Sequence, residues 1–352
     1  MKFVWSRRFA GMSLLLIAVL ANPAVSAQRP VGRTPVVQRN VVQRNRVQRN
    51  VVQRSGAAAP ERGKIIFHTD LSYAGNDNPR QCLDLLLPTQ PANDRPLPVI
   101  VYIHGGAWRA GDRASGHRQL FDYVAGGQYA GVSVGYRLTG ESRWPAQIHD
   151  CKAAIRWIRA NAQKYQLDAT KIGVFGHSAG GHLVAMLGTS GDVIELEGNL
   201  GAHTEFSSRV QCVIDAFGPS DLLAMKDYPS QIDHDAARSP EGKLIGGRVS
   251  QNPKKAKSAS PITYVSSDDP PFLIIHGDQD RLVPLNQSQR FAKALKQSEI
   301  PCSLTTVVGG GHGGFRHPEI DAQQRRFFQT HLLGVPAQFQ DRRINNQSKR
   351  GS

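Results

Sequence analysis

The chain has 352 residues with 40% hydrophobic content, which is enough to bury a sizeable core. Its formal net charge is +15, but ten of its Lys and Arg residues lie within residues 1–60, whereas the first acidic residue is Glu61. The basic charge therefore belongs mainly to the ends of the chain. Because no basic, aromatic-lined fold motif accompanies it, we expect no nucleic-acid binding.

The first residues have the pattern of a secretion signal. A basic start is followed by an apolar stretch over residues 12–20 and then by Val25-Ser26-Ala27. Small side chains at the last and third-last positions suit signal-peptidase cleavage, and the apolar stretch is too short to span a bilayer comfortably. We therefore predict a signal peptide over residues 1–27 and a secreted or periplasmic protein, with a retained membrane anchor as the alternative.

Residues 36–55 consist of a five-residue repeat, Val-Val-Gln-Arg-Asn with small variations. A period of five matches neither a helix nor a strand, so no apolar face forms. This predicts a basic, low-complexity, disordered spacer over residues 28–62. We interpret the spacer as a solvated tether, and contact of residues 28–60 with an acidic surface is the alternative. At the other end, residues 336–352 are predicted to form a disordered basic tail.

Between residues 63 and 335, strand-like and helix-like patterns alternate. Apolar runs over residues 97–103 and 271–277 are typical of buried strands, and residues 145–165 have helical spacing. Such alternation predicts one α/β domain built on a mostly parallel, doubly wound sheet. The segment from about residue 219 to 261 is polar and contains Pro and Gly. We expect it to form a short cap insertion over the crevice at the strand ends.

The most informative motif is Gly-His-Ser-Ala-Gly at residues 176–180, which follows a short apolar strand and precedes a helical pattern. This is the nucleophile-elbow pattern, a tight strand-to-helix turn that exposes the hydroxyl of Ser178 at a helix N-terminus. The small residues on either side let the neighbouring backbone pass without clashes. A serine hydroxyl is a poor nucleophile at neutral pH, so the motif also predicts a base nearby.

A suitable acid and histidine follow along the chain. Asp280 and His312 each lie just beyond the end of a predicted strand, where the side chains of a parallel sheet face the ligand crevice. We predict that His312 removes the proton of Ser178 and that Asp280 fixes the imidazole. Asp278, two residues earlier, is the alternative acid.

Another predicted strand ends before two glycines, Gly105 and Gly106. Their backbone N–H groups, together with that of Ala179 directly after the serine, are predicted to donate hydrogen bonds to an oxyanion. Trp108 in the same loop is a candidate substrate-binding residue, and wedging of the loop is its alternative role.

The sequence contains no Cys-x-x-Cys pair, no His-Glu-x-x-His helix and no glycine-rich phosphate loop, so we predict neither a metal nor a cofactor. Free thiols and disulfide pairing are both open for the four widely spaced cysteines, which are Cys82, Cys151, Cys212 and Cys302.

Three segments carry a resemblance to a known superfamily. They are His-Gly-Gly-Ala-Trp at 104–108, Gly-His-Ser-Ala-Gly-Gly at 176–181 and Gly-His-Gly-Gly-Phe at 311–315. Over residues 64–334 the chain resembles exported esterases of the α/β-hydrolase superfamily, in particular the hormone-sensitive-lipase-like carboxylesterases that include bifunctional acetylxylan and feruloyl esterases. The resemblance implies the α/β-hydrolase fold and a cofactor-free serine carboxylesterase with the nucleophile, acid, base and oxyanion donors named above.

The resemblance also implies a substrate class. It indicates acetyl or aryl esters, on small molecules or on polysaccharide, that are cleaved through an acyl-enzyme. Ala107 stands where some relatives have a third glycine, which argues against esters of tertiary alcohols. Two other functions stay open: amide hydrolysis, as in exopeptidases or arylformamidases, and a binding module on an inactive hydrolase scaffold.

Overall fold

A computed structural model describes residues 64–315 and 317–346. The predicted signal peptide over residues 1–27 and the basic spacer over residues 28–62 lie outside the described residues and stay predictions. Among the described residues, no helix combines the length and the apolar character needed to cross a membrane.

The described residues form one nine-stranded sheet. In chain order its strands are β1 (Ile65–Ser72), β2 (Cys82–Pro88), β3 (Leu97–Ile103), β4 (Ala130–Val134), β5 (Leu167–His177), β6 (Cys212–Ala216), β7 (Phe272–Gly277), β8 (Cys302–Val308) and β9 (Arg342–Asn345). Their spatial order is β1-β2-β4-β3-β5-β6-β7-β8-β9. The pairs β1·β2 and β2·β4 are antiparallel and all other neighbours are parallel. The predicted mostly parallel sheet is therefore confirmed.

Helices cover both faces of this sheet. They are α1 (Ser115–Ala125), α2 (Ala146–Ala160), α3 (Ala162–Tyr165), α4 (Ala179–Thr189), α5 (Ile194–Glu197), α6 (Pro240–Ile245), α7 (Pro253–Ser258), α8 (Asn286–Gln297) and α9 (Pro318–Leu333). The single long helix predicted over residues 145–165 is interrupted at Asn161, which separates α2 from α3.

Strand β3 illustrates how the sequence builds the two faces. Val101 and Ile103 belong to one buried cluster, which includes side chains of α2, α4 and α8. Ile100 and Tyr102 belong to a second buried cluster, which includes side chains of α1 and α9. Because successive side chains of a strand point to opposite faces, a strand covered on both sides is apolar throughout. Every residue of β3 is buried, as its continuous apolar run predicts.

The carboxyl ends of four strands bring the predicted site segments together. Strands β3, β5, β7 and β8 are parallel to one another, so their carboxyl ends lie at the same edge of the sheet. This edge carries the glycine loop after β3, Ser178 after β5, Asp280 after β7 and His312 after β8. The predicted insertion at about residues 219–261 lies between β6 and β7 and contains α6 and α7.

The prediction of a disordered tail over residues 336–352 is wrong for residues 342–345. These residues form β9, which pairs in parallel with β8 from Thr305 opposite Arg342 onwards. Ile344 is only 6% exposed and packs into the second buried cluster. A single apolar residue among Arg and Asn is too weak a pattern to indicate a strand, and the β8 edge provides the missing partner. Residues 347–352 lie outside the described residues.

All four cysteines are free thiols. Three of them, Cys82, Cys151 and Cys212, are buried in the domain. The structure thus favours the free-thiol alternative over disulfide pairing.

Candidate active site

Ser178 lies in the turn between β5 and α4 with backbone angles φ 56° and ψ −121°, a conformation that side-chain-bearing residues rarely adopt. The flanking glycines make this turn sterically feasible. A β-carbon on Gly180 would lie 2.1 Å from the carbonyl oxygen of Ile103, and one on Gly176 would lie 2.4 Å from the carbonyl oxygen of Gly180. The two glycines of the Gly-x-Ser-x-Gly motif are therefore required because another backbone segment passes too close to each of them for a side chain to fit.

His312 connects the serine to the acid. Its Nε2 lies 2.9 Å from Ser178 Oγ, and its Nδ1 lies 2.6 Å from Asp280 Oδ2. Both distances are normal for hydrogen bonds, the second of them a short, charge-assisted one. This geometry fits an imidazole that donates its Nδ1 proton to Asp280 and accepts the hydroxyl proton of Ser178 on Nε2.

Asp280 is built to remain ionised. Its Oδ1 accepts hydrogen bonds from the backbone N–H groups of Leu282 and Val283, at 2.8 and 3.0 Å. Burial alone would raise the pKa of this carboxyl, but the hydrogen bonds from His276 and His312 outweigh burial and hold its pKa well below the usual range. A permanent negative charge therefore faces His312 across the neutral pH range.

Asp278, the alternative acid, has different partners. Its Oδ1 accepts a hydrogen bond from the backbone N–H of Gly309 at 2.7 Å, and its Oδ2 lies 3.3 Å from Arg343. It makes no hydrogen bond to His312, so the geometry favours Asp280 as the acid.

His276 supports the acid from the other side and was missed by the sequence analysis. This buried imidazole, near the end of β7, places Nε2 3.2 Å from Asp280 Oδ2 and 2.9 Å from the carbonyl oxygen of Val283. Ser288 Oγ lies 2.7 Å from its Nδ1, which fixes the ring. The only sequence signal was a polar residue inside an apolar strand, directly before Gly277.

The loop after β3 has an unusual backbone conformation and lies close to Ser178. Gly106, Ala107 and Trp108 all have positive φ, at 112°, 55° and 54°. A β-carbon on Gly105 would lie 3.6 Å from Ser178 Cβ, which places this backbone against the serine.

The N–H groups of the predicted oxyanion donors are available. Within the described part of the chain, the backbone N–H groups of Gly105 and Gly106 donate to no acceptor. Ala179 opens α4, so its N–H has no acceptor within the helix. All three can therefore donate to a bound oxyanion.

Trp108 has a packing role. Its side chain is buried, with 1% exposure, and its Nε1 donates a hydrogen bond to Nδ1 of His182 at 3.1 Å. Nε2 of His182 in turn lies 2.7 Å from the carbonyl oxygen of Ala259, at the far end of the insertion. The structure thus assigns Trp108 mainly to the wedge role, because little of its ring is left to contact a substrate.

Ser178 opens into a cavity of about 850 Å³, within the size range of ligand pockets. Its walls come from the glycine loop, the serine turn, the insertion and the loop after Asp280. The insertion contributes Ile232, Pro240 and Glu241, and the last loop contributes Leu282 and Val283. In the described ranges, no cluster of three or more His, Cys, Asp or Glu side chains is arranged to hold a metal ion.

Asp215, at the end of β6, is a buried carboxyl beside the elbow helix. Its Oδ1 accepts a hydrogen bond from the Gly218 N–H at 2.9 Å, whereas its buried Oδ2 has no partner among the described residues. Burial raises the pKa of Asp215 to about 7, and the Gly218 hydrogen bond opposes this shift only partly.

The raised pKa of Asp215 makes stability depend on pH. The folded state keeps a proton that the unfolded chain loses near pH 4, so the free energy of unfolding falls as pH rises from about 4 to about 7. Asp215→Asn removes this pH-dependent contribution to the free energy of unfolding. Between pH 5 and pH 8 we expect the variant to gain on the order of 2 kcal/mol relative to the parent in urea unfolding. An equal difference at both pH values would contradict the shift.

A protein-family model, BD-FAE, matches residues 83–295, which is more than half of the chain. The chain belongs to the BD-FAE family. The matched range includes Ser178 and Asp280, whereas His312 follows it.

Individual proteins extend the BD-FAE match. Esterase LipC of Mycobacterium tuberculosis is 32% identical over 245 residues, which are 67% of this chain and 58% of LipC. A truncated carbohydrate esterase from gut microbiota is 33% identical with a TM-score of 0.72, over 78% of this chain and 99% of that one. A bifunctional GH43-CE of Bacteroides eggerthii is 36% identical with a TM-score of 0.69, over 76% of this chain and 35% of that one.

These matches confirm the resemblance to α/β-hydrolase serine esterases. They also identify the described BD-FAE domain as a carboxylic ester hydrolase domain with the α/β-hydrolase fold. The chain spans about half the length of the curated mycobacterial esterases that it matches.

Proposed function

We propose that this chain is an exported serine carboxylesterase that hydrolyses acetyl or aryl esters through an acyl-enzyme. The observation that carries the proposal is the hydrogen-bonded series Ser178–His312–Asp280, of which Ser178 and His312 line an open cavity. An inactive binding module would have no need to keep this series intact. The esterase relatives support the same reaction class.

In the proposed acylation step, Ser178 Oγ attacks the ester carbonyl carbon while His312 Nε2 takes the hydroxyl proton. The carbonyl electron pair moves onto oxygen, and the N–H groups of Gly105, Gly106 and Ala179 stabilise the resulting oxyanion. When the carbonyl re-forms, the bond to the alcohol oxygen breaks and His312 returns the proton to that oxygen. Asp280 stabilises the imidazolium that exists between the two transfers.

In the proposed deacylation step, water takes the place of the alcohol. His312 removes one proton from the water as its oxygen attacks the acyl carbon. Collapse of the second oxyanion breaks the bond to Ser178 Oγ, which regains its proton from His312. The products are the free carboxylic acid and the unmodified enzyme.

A common acyl-enzyme can be tested by partitioning. If phenyl acetate and 4-nitrophenyl acetate pass through one acetyl-enzyme, added methanol must give the same ratio of methyl acetate to acetate from both. Ratios that differ between the two esters would contradict the intermediate. The anilide that corresponds to the aryl acetate tests the amide-hydrolase alternative. Hydrolysis of this anilide at a rate comparable to that of the ester would favour an amide hydrolase.

The natural esters are proposed to lie on polysaccharide. The support comes from two relatives, one described as a carbohydrate esterase and the other as a bifunctional GH43-CE. A screen of acetylated xylan, feruloyl esters and aryl esters of varied chain length tests this assignment. Turnover of aryl esters together with no release from any polysaccharide would contradict it.

Export is proposed from the signal pattern at residues 1–27. The mature protein should begin at Gln28, which N-terminal sequencing of the chain from a secreting host can establish. An intact Met1 in the exported fraction would indicate the retained anchor instead.

Deletion of residues 28–60 should leave kcat/KM on soluble esters unchanged within about twofold, because a solvated spacer adds nothing to the reaction barrier. Steady-state kinetics of the deleted and full mature chains compare the two directly. A large loss would indicate that the repeat packs on the domain. Binding of only the longer form to acidic polysaccharide beads would favour the alternative of an acidic surface contact.

A further inference from the structure

The wall of the active-site cavity contains a carboxylate that the mechanism above does not use. Glu241, in the first turn of α6, is the only acidic residue among the described residues that line this cavity. Its side chain is 3% exposed. Buried carboxylates normally have several hydrogen-bond partners, because an unsatisfied buried charge is unfavourable.

Glu241 has very few partners. Its Oε2 lies 3.2 Å from Nδ1 of His234, whose side chain is 1% exposed, but neither atom makes a hydrogen bond of good geometry. Its Oε1 receives no hydrogen bond from any described residue. One oxygen of the carboxylate thus lies beside His234, and the other has no hydrogen-bond partner among the described residues.

Local contacts hold this pair in place. Ser239 caps α6 by accepting a hydrogen bond from the Gly242 N–H at 2.9 Å, and its hydroxyl donates to the carbonyl oxygen of His234 at 3.2 Å. A β-carbon on Gly242 would lie 2.4 Å from the carbonyl oxygen of Ala236, so the backbone here is tightly packed. Glu241 is therefore positioned by its own segment before any substrate binds.

Hydrogen bonds connect the pair to the loop that carries Asp280. His234 Nε2 lies 3.0 Å from Ser230 Oγ, which donates to the carbonyl oxygen of Arg281 at 3.0 Å. Arg281 directly follows Asp280, which is hydrogen-bonded to His312. His312 must protonate the departing alcohol oxygen, so the alcohol part of the ester lies next to His312. Glu241 lines the same cavity as His312.

The cavity that Glu241 lines is mostly apolar. Its lining also includes Ile232, Pro240, Leu282 and Val283. In such surroundings a hydrogen bond to a carboxylate discriminates strongly between a substrate that carries a donor and one that lacks it.

We propose that Glu241 is a specificity-determining residue for the alcohol part of the ester. Its free carboxylate oxygen accepts a hydrogen bond from a hydroxyl group of a polyhydroxy alcohol such as a sugar. This inference rests on the proposed esterase function and adds to it a residue that recognises the alcohol. If Glu241 only packs against His234, substitution will not distinguish hydroxylated from plain alcohols.

A shape-matched pair of acetate esters tests the proposal. Glycerol 1-acetate and 2-methylbutyl acetate carry the same acyl group and alcohols of the same branching, but only the former has free hydroxyls. For Glu241→Gln, which keeps the side-chain shape, we expect kcat/KM on glycerol 1-acetate to fall about tenfold or more, mainly through KM. On 2-methylbutyl acetate we expect less than a twofold change. Asp227→Asn is the matched control, because it makes the same change from carboxylate to carboxamide at an exposed residue of the same insertion. It should alter kcat/KM on neither ester.

Each outcome has a defined meaning. Equal losses on both esters, or no change on either, would overturn the role of Glu241. A parent chain that hydrolyses 4-nitrophenyl acetate but neither of these esters would also overturn the role of Glu241, whereas one that hydrolyses none of the three would overturn the proposed esterase function. The rate of covalent labelling of Ser178 by a fluorophosphonate shows that each variant is folded. For Glu241→Leu, Ser178 should be labelled at the parent rate. A shift of the kcat/KM ratio in favour of 2-methylbutyl acetate over glycerol 1-acetate would then support the proposal, and an unchanged ratio would contradict it.

Discussion

Ser178→Ala is expected to lower kcat on 4-nitrophenyl acetate by about 10⁴–10⁶-fold, because Ser178 is the only hydroxyl group among the described residues that is hydrogen-bonded to His312. KM should change little, since the cavity walls and the oxyanion donors remain. Alanine can occupy the same strained backbone position at φ 56° with no greater strain than serine, so the fold should persist. Steady-state kinetics measure the effect, with protein preparations that are free of contaminating esterase activity.

The control for this substitution is Ser207→Ala, on an exposed loop away from the sheet edge. It should retain the parent rate. Far-UV circular dichroism and the urea midpoint of Ser178→Ala should match those of the parent. A residual rate within tenfold of the parent would defeat the assignment of the nucleophile.

Asp280→Asn is expected to lower kcat by about 10⁴-fold with little change in KM. The carboxylate accepts the Nδ1 proton of His312 at 2.6 Å, whereas an amide nitrogen at the same position would favour the other tautomer. The imidazole would then present an N–H instead of a lone pair to Ser178 Oγ, and the imidazolium would lose its counter-charge. Since His276 also hydrogen-bonds this carboxylate, the loop should remain in place.

Asp278→Asn is the matched control for the acid, because it changes the same chemical group two residues earlier. Asp278 contacts the Gly309 N–H and Arg343 but not His312, so the variant should keep kcat within a few fold of the parent. If Asp278→Asn were the more damaging of the two, the two acids would have to exchange roles. Thermal midpoints of both variants separate a loss of fold from a loss of catalysis.

The sequence was sufficient to predict the residues whose placement depends on local pattern and on sheet topology. Ser178 is fixed by glycines that the neighbouring backbone requires, and this signal lies within five residues. Asp280 and His312 lie after parallel strands, so strand prediction alone brings them to one edge. The strand-and-helix alternation predicted the sheet for the same reason.

Other features depend on contacts between remote segments, and the sequence pattern does not encode these. Strand β9 forms only because the β8 edge accepts it, although Ile344 is its single buried residue. His276 has no motif of its own and gains a role only from the distance to Asp280. The choice between Asp278 and Asp280 depended on the turn geometry of a short loop.

Side-chain burial was the least predictable property of the site. Trp108 occupies a loop position that suits a substrate-binding residue, yet its indole N–H is taken by His182 within the core. Glu241 gave no signal in an insertion that is polar throughout, and only its burial beside His234 sets it apart. Both outcomes depend on how the insertion packs over the sheet edge.

The most direct test of the central claim is covalent labelling of the parent chain with a fluorophosphonate, followed by peptide mass spectrometry. The hydrogen-bonded series at the sheet edge predicts one phosphonyl adduct per chain, on Ser178, formed at a rate that His312→Ala and Asp280→Asn each strongly reduce. No adduct on Ser178, or an adduct formed equally fast in the His312→Ala variant, would contradict the account.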